Sequence, residues 1–364
     1  MGFKCGIIGL PNVGKSTIFN ALTAAGAQVA NYPFTTIEPQ IGIVAVPDKR
    51  LDELARIFKS PKVIPTSIEF VDIAGLVRNA SKGEGLGNQF LSHIREVDAI
   101  AHVVRCFINE DISHVEGNIN PLRDIEIVET ELLLKDLMTI EKELHEAERK
   151  IKSGNPKIKN EVDFYIRLRN YLNEGHPARQ FQFSDKEKEF FNSLNLLSIK
   201  PVMYIANVDE DGLVNENEHI RAVKEIAKKE NARFILVDAE MEAEIAEMPY
   251  QERESFLKDL GFAESGLDKI IREGYSMLNL ITFFTHNEKE LRAWTITSGT
   301  KAPRAAGKIH SDFERGFIRA EVIKYTDLIK YGSEHSAREK GCLAVHGHDY
   351  VVQDGDVILF RFNV

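Results

Sequence analysis

The chain has 364 residues, 43% of them apolar and 28% charged, with a formal net charge of -10. That length allows two or three domains with cores of their own, and the composition excludes a disordered or fibrous chain. The acidic balance excludes a protein that coats nucleic acid with its whole surface, so contact with RNA needs a local basic patch.

No apolar run approaches the roughly 20 residues that span a bilayer. The opening MGFKCGIIGL enters a strand-like run without a signal-peptide pattern, and Gly6 stands where a myristoylation signal wants Ser or Thr. A cytoplasmic protein with no membrane association is expected, most simply a monomer. Cys5, Cys106 and Cys342 are far apart and form no metal-spaced pair; Cys5 and Cys106 read as small buried hydrophobes.

FKCGIIGL is a continuous apolar run, as in a strand buried on both faces of a parallel sheet. GLPNVGKS (9–16) follows and fits G-x-x-x-x-G-K-[ST] in full, and STIFNALTAAG then shows helical spacing. Gly9 and Gly14 let the backbone turn around phosphate oxygens, so that N–H groups of Asn12, Val13, Gly14, Lys15, Ser16 and Thr17 face an anion. Lys15 supplies charge to the β- and γ-phosphates, and Ser16 can ligate Mg²⁺. NYPFTT (31–36) is a loop in which Thr36 is the candidate for a second hydroxyl on the metal.

Further strands are expected at 41–46, 67–75, 99–107, 201–208 and 232–239, with helical segments between most of them. The alternation predicts a doubly wound, mostly parallel α/β sheet of the P-loop NTPase class. DIAG (72–75) ends the 67–75 strand in a D-x-x-G arrangement: Asp72 can hold Mg²⁺ through water, and the Gly75 N–H can sense a γ-phosphate. Leu76 stands where many switch GTPases place a water-orienting Gln. His114, in the loop-like EDISHVEGN, could reach the γ-phosphate if that loop closes. Arg78 and Lys82 could assist, and the glycines of KGEGLGN (82–88) suit a segment that rearranges with nucleotide state.

After 120 the alternation stops. Leu137, Ile140, Leu144, Ala147 and Ile151 form a heptad-like stripe, SGNP (153–156) breaks it, and Val162, Tyr165, Leu168 and Leu172 continue on a second helix. Two helices joined by a short turn make an antiparallel hairpin, and SDKE (184–187) fits a capping box opening a third. RKIKSGNPKIK (149–159) is a basic tip without an acid, a candidate RNA contact. From about 279 the texture becomes strands with Gly- and Pro-bearing turns, a β-rich module with a weaker basic stretch through Lys301, Arg304, Lys308, Arg315 and Arg319. His346 and His348 lack a third metal ligand in view and read as part of a surface turn. The expected domains are 1–120 with 198–278 for nucleotide, 121–197 for the hairpin, and 279–364.

Guanine-specific proteins carry N-K-x-D after the strand that here ends YIAN. The four positions read Asn207, Val208, Asp209 and Glu210, so the Lys is gone and a longer acid stands where Asp is expected. Asn207 can still pair with purine N7 and suits adenine N6/N7; Glu210 or the adjacent Asp209 leaves a carboxylate within reach of guanine. The residues alone give weakened GTP discrimination. VDAE (237–240) follows the next strand, and Ala239 is expected to offer backbone contacts to the base.

GLPNVGKST, NYPFTTIEP, DIAGLVRNASKGEGLGNQFL and YIANVDEDG together resemble the YchF family of Obg-like ATPases over essentially the whole chain. APRAAGKIHSDFERGFIRAEVI and DYVVQDGDVILFRFNV resemble that family's TGS domain, a ubiquitin-like β-grasp. The resemblance implies a Mg²⁺-dependent ATPase that prefers ATP over GTP and associates with the ribosome, at its large subunit. Asn12 matches the Asn that seats K⁺ in related potassium-dependent P-loop proteins. The alternatives are a GTPase or dual-specificity NTPase, and a nucleotide-gated RNA-binding module whose hydrolysis is incidental.

Overall fold

The computed structural model describes residues 3–24, 28–29, 39–73, 86–150 and 156–363. Its strands, in chain order, begin with β1 (Lys4–Ile8), β2 (Gln28–Val29), β3 (Gln40–Ala45), β4 (Val63–Ile64) and β5 (Ser67–Asp72). Then come β6 (Ala99–Arg105), β7 (Val202–Asn207), β8 (Arg233–Val237) and β9 (Leu280–His286). The last are β10 (Leu291–Thr297), β11 (Phe317–Lys324), β12 (Ala344–His346) and β13 (Asp356–Phe362). The chain divides into two units, Phe3–Ile43 with Glu69–Ile270, and Val44–Ile68 with Ile271–Val364.

The first unit is built on a seven-stranded sheet in the order β2-β3-β5-β1-β6-β7-β8. From β5 to β8 all neighbours are parallel, and β2 pairs antiparallel with β3. β1, β6 and β7 are mostly apolar and, apart from the half-buried Lys4, buried throughout, as expected of strands covered on both faces. The doubly wound sheet read from the sequence is thus present, with strand ends within a few residues of those expected.

The inserted helices run over Pro121–Lys150 and Pro156–Asn173. Ile140, Leu144 and Ala147 of the stripe join Val162, Tyr165, Leu168 and Leu172 in one core, with Leu137 packed at its margin; Ile151 lies outside the described residues. Phe164 adds what the stripe did not predict, meeting Phe181 and Phe191 edge-on at 5.9 and 6.3 Å. The expected capping box is half made. Glu187 accepts from the Ser184 N–H and hydroxyl, both at 2.8 Å, but the helix itself starts only at Lys188. The hydroxyl therefore donates to the acid instead of accepting from a helix N–H, and the box closes a turn ahead of the helix.

The insert is bound to the sheet by a half-buried ionic cluster. Arg179 donates to both oxygens of Glu129 at 3.1 Å and to Glu230 at 2.8 Å, and the Tyr204 hydroxyl of β7 donates to Glu230 at 2.9 Å. Nearby, Asp136 of the long helix accepts from the Leu197 N–H, the Ser198 N–H and the Ser198 hydroxyl at 2.7, 2.8 and 2.6 Å.

The second unit is a six-stranded sheet in the order β12-β11-β13-β9-β10-β4. β9 and β10 form an antiparallel hairpin, β13 runs parallel to β9, and β11 is antiparallel to both β13 and β12. A hairpin flanked by a parallel last strand is the topology of a β-grasp. The helix Ala302–Gly307 packs on one face through Ala302, Ala305 and Ala306.

One part of this unit was not anticipated. Residues 44–68, which the sequence reading placed with the nucleotide domain, belong to the second unit. Leu51 and Leu54 of the helix Lys49–Phe58 pack against Phe284, Leu291, Ala293 and Ile323, covering the sheet's other face. β4 extends the sheet beside β10. Arg50 bonds Asp354 at 2.6 Å, and Asp354 in turn accepts from the Thr282 N–H at 2.8 Å. An amphipathic helix covers whichever apolar face completes a core, whatever the separation in sequence.

Candidate nucleotide site

β1 delivers the chain into the phosphate loop at Gly9, whose φ is +151° and whose missing Cβ would lie 2.4 Å from the Val103 carbonyl. Gly14 has φ +97°, and a Cβ there would lie 2.3 Å from Asn207 Nδ2. Both positions therefore exclude a side chain, by conformation and by contact. Asn12 takes the left-handed region at φ 61°. The helix Lys15–Ala24 begins immediately afterwards, and N–H groups of its first turn have no partner within the helix. The geometry is that of an anion cradle.

Lys15 is buried, and its Nζ donates to the Leu10 carbonyl at 2.8 Å. Burial holds its pKa below the usual lysine range, an effect opposed by Asp72. The ammonium thus sits inside the loop on a neutral acceptor that an anion can replace.

Ser16 donates to Asp72 Oδ2 at 3.3 Å. Burial raises the Asp72 pKa, opposed by Lys15 and Ser16, and its Oδ1 is buried without a hydrogen-bond partner. A hydroxyl beside a carboxylate with an orphaned oxygen is a hard-oxygen donor set, which fits a hydrated Mg²⁺. Thr36 and Gly75, the other expected metal and γ-phosphate groups, lie outside the described residues, as do Leu76, Arg78 and Lys82. Thr17 is exposed on the first helical turn.

At the end of β7, Asn207 is a brace. Its Nδ2 donates to the Val13 carbonyl at 3.0 Å, and its Oδ1 accepts from the Ala239 N–H at 3.0 Å. One amide hydrogen remains for a purine nitrogen. Val208 is buried, its N–H bonded to the Val237 carbonyl at 2.9 Å. Asp209 caps the helix Glu210–Val214 by accepting from the Gly212 N–H at 3.0 Å, and Glu210 is exposed on that helix's first turn. Of the two carboxylates weighed for guanine, Asp209 thus has one oxygen on a helix end, and Glu210 remains exposed. Asp238 likewise caps the helix Ala239–Glu247, accepting from Glu240 and Met241.

The loop after β6 brings two expected residues together with one that sequence reasoning missed. Asn12 Nδ2 donates to the Ser113 carbonyl at 3.2 Å. His114 was expected on an open loop, but its side chain is 2% exposed and both ring nitrogens are engaged. Nε2 bonds Asp124 Oδ2 at 2.9 Å, and Nδ1 accepts from the Glu116 N–H at 3.1 Å. The missed residue is Arg105, buried at the end of β6. Its only sequence signal is a charge closing the apolar run AIAHVV.

The expected partner surfaces differ in charge state. At the hairpin tip, Arg149 and Lys159 are exposed, while residues 151–155 lie outside the described set. In the second unit, Lys301 pairs with Asp349 at 2.7 Å, Arg304 with Glu314 at 4.0 Å, Arg315 with Asp312, and Arg319 with Glu321 at 3.0 Å. Those pairs neutralise much of the basic stretch read there. His346 stacks on Tyr350 at 3.9 Å, and His348 lies edge-on to Phe317 at 5.0 Å.

Residues 4–150 match a family model described as a 50S ribosome-binding GTPase. Residues 280–363 match the model YchF-GTPase_C, described as a protein of unknown function. The chain is 54% identical over 364 residues to a ribosome-binding ATPase YchF of Escherichia coli O157:H7, and 50% identical over 366 residues to one of Bacillus subtilis, covering 100% of each. A solved structure titled as the Schizosaccharomyces pombe YchF GTPase superposes with a TM-score of 0.88 at 41% identity, covering 99% of this chain and 98% of that one. Identity at this level over both full lengths, on the same fold and with the phosphate loop intact, means that the chain belongs to the YchF family.

Proposed function

We propose that this chain hydrolyses ATP to ADP and phosphate and acts as a nucleotide-dependent switch on the ribosome, as a cytoplasmic monomer. The observation that carries ATP over GTP is the Asn207–Glu210 segment. Asp209 Oδ1 caps a helix, the longer Glu210 stands where the guanine-reading Asp is expected, and Val208 replaces the lysine whose stem would lie on the base. A site that does not pair with guanine N1 and N2 gives up the discrimination such bonds provide. The related bacterial proteins are named ATPases and the fission-yeast one a GTPase, so the nucleotide has to be measured on this chain.

In the proposed reaction Lys15 exchanges the Leu10 carbonyl for β- and γ-phosphate oxygens, and the N–H groups of 12–17 orient the triphosphate for in-line attack by water. Ser16 and Asp72 would hold Mg²⁺, with Thr36 as a further proposed ligand. The metal, when bound, neutralises charge on the phosphate oxygens. Asn12 is assigned to a K⁺ beside the phosphates and Gly75 to the γ-phosphate. His114 acts on the attacking water only if its ring leaves Asp124 and the Glu116 N–H, which makes release of that pair a step of the cycle.

The ribosome is assigned on the relatives' names and on the basic hairpin tip, where local positive charge suits ribosomal RNA of the large subunit. Equilibrium binding of fluorescent ATP and GTP analogues, with Mg²⁺ and K⁺ present, tests the nucleotide. Tenfold tighter ATP binding, about 1.4 kcal/mol, supports the reading, and equal or inverted affinities overturn the preference. Co-sedimentation with ribosomes in ADP, in a non-hydrolysable ATP analogue and without nucleotide tests the switch. Unchanged binding in all three would favour an RNA-binding module with incidental hydrolysis.

A further inference from the structure

Arg105 ends a strand whose residues are all buried, and its own side chain is 1% exposed. Its guanidinium donates to three main-chain carbonyls of the loop that follows: Nε to Phe107 at 3.2 Å, Nη2 to Asn109 at 3.0 Å and Nη1 to Ile112 at 2.9 Å. The group also lies 4.6 Å from the centre of the Phe107 ring. An Asn109 side-chain bond to the Asp111 N–H at 2.9 Å tightens the same turn. The loop is wound around a buried cation.

Burying a guanidinium on neutral carbonyls is a costly way to close a loop when apolar packing would serve. What this arrangement fixes is the next residue. The Ser113 carbonyl accepts from Asn12 Nδ2 at 3.2 Å, which turns the nitrogen end of that amide toward the loop and leaves Oδ1 as the end available to a cation. We propose that Arg105 is a positioning residue for hydrolysis: through the carbonyls of 107–112 it holds Ser113, and through Ser113 it sets the orientation of the Asn12 amide in the phosphate loop. This rests on the ATPase reading above and adds to it a residue that touches neither nucleotide nor metal. The rigid planar fork matters, because an ammonium cannot reach three separated carbonyls at once.

The test compares the full-length chain with Arg105→Met, Arg105→Lys, Asn12→Ala and the Asn12→Ala/Arg105→Met double variant. Phosphate release gives kcat and KM for ATP, and nuclear magnetic resonance reports the Asn12 side-chain NH₂ group independently of turnover. In Arg105→Met, kcat is expected to fall at least tenfold while KM for ATP stays within threefold, and the Asn12 NH₂ signal moves to its solvent-exposed position. Arg105→Lys should fall between Met and the parent in both readouts. On the Asn12→Ala background the Met substitution should change kcat less than threefold, since its route is already cut.

An unchanged Asn12 signal in Arg105→Met overturns the proposal, as does a full tenfold loss that persists without Asn12. If the Met variant does not fold, the Lys variant carries the same two readouts. A parent chain that turns over no ATP would sink the ATPase reading, while the Asn12 signal still decides whether Arg105 positions it.

Discussion

Asn207 on β7 donates 3.0 Å to the carbonyl of Val13, 194 residues earlier, and accepts 3.0 Å from Ala239 on the other side. One amide thereby joins the phosphate loop to the segment after β8. Asn207→Ala removes both bonds and leaves two buried main-chain groups unpaired. The expected loss is roughly 2–4 kcal/mol of stability, read by denaturant unfolding, together with weaker nucleotide binding. Wild-type stability would show that the brace is idle.

The same segment can be rebuilt toward guanine. Val208→Lys with Glu210→Asp recreates N-K-x-D, and the ratio of GTP to ATP affinity should rise at least tenfold, about 1.4 kcal/mol. Fluorescent analogue titrations on both proteins check this. An unchanged ratio would place base selection outside Asn207–Glu210.

Lys15→Ala should lower phosphate release by at least about 100-fold, the scale seen when a charge-stabilising donor is removed. The fold should persist, because the Lys15 ammonium gives up its bond to the Leu10 carbonyl and its attraction to Asp72, while the cost of burying its charge disappears as well. Chelation of Mg²⁺ should likewise bring the parent to background, and Asp72→Asn should raise the Mg²⁺ concentration needed for half-maximal turnover.

Stability should depend on pH through two buried groups of opposite sign. Burial first, then repulsion from Arg179 and Lys15, holds His102 down at about 3 from the ordinary 6.5. Between those values the unfolded chain binds a proton that the folded chain refuses, so stability falls as pH falls, by about 1.4 kcal/mol per pH unit. Burial holds Asp136 up at about 6 from 3.8, against its three donors. There the folded chain keeps the proton longer, so stability rises as pH falls from about 6 toward 4. His102→Leu should therefore flatten the acid limb of a melting-temperature profile, and Asp136→Asn should steepen it.

Arg179→Met leaves the half-buried Glu129 and Glu230 without their shared cation. Breaking a fully buried pair from one side costs about 3–5 kcal/mol; for this half-buried cluster a smaller but clear drop in melting temperature is expected. Adding Glu129→Gln and Glu230→Gln should recover part of it, since the uncompensated charges are then gone. A drop of less than a degree in Arg179→Met would mean that the cluster contributes nothing to stability.

What the sequence by itself determined is what short spacings encode. Eight residues from Gly9 to Ser16, set between a buried strand and a helix, specify an anion cradle, and Asp72 at the end of β5 is placed beside Ser16. The stripe through Ile140, Leu144 and Ala147 specifies the hairpin core, because helical periodicity is local. The cap at Asp209 is local too, its side chain reaching the N–H three residues on, at Gly212.

Tertiary structure alone decided the rest. Asn12 meets Ser113 across 101 residues, and Arg50 meets Asp354 across 304. Neither pairing leaves a periodic trace, since each is a meeting of surfaces that exist only once their elements have packed. The helix Lys49–Phe58 looks, residue by residue, like any amphipathic helix of an α/β fold. Only the sheet it covers reveals that it completes the second unit. Arg105 is the same lesson at one residue: a charge in an apolar strand is an anomaly in sequence, and its purpose is visible only where three carbonyls turn to meet it.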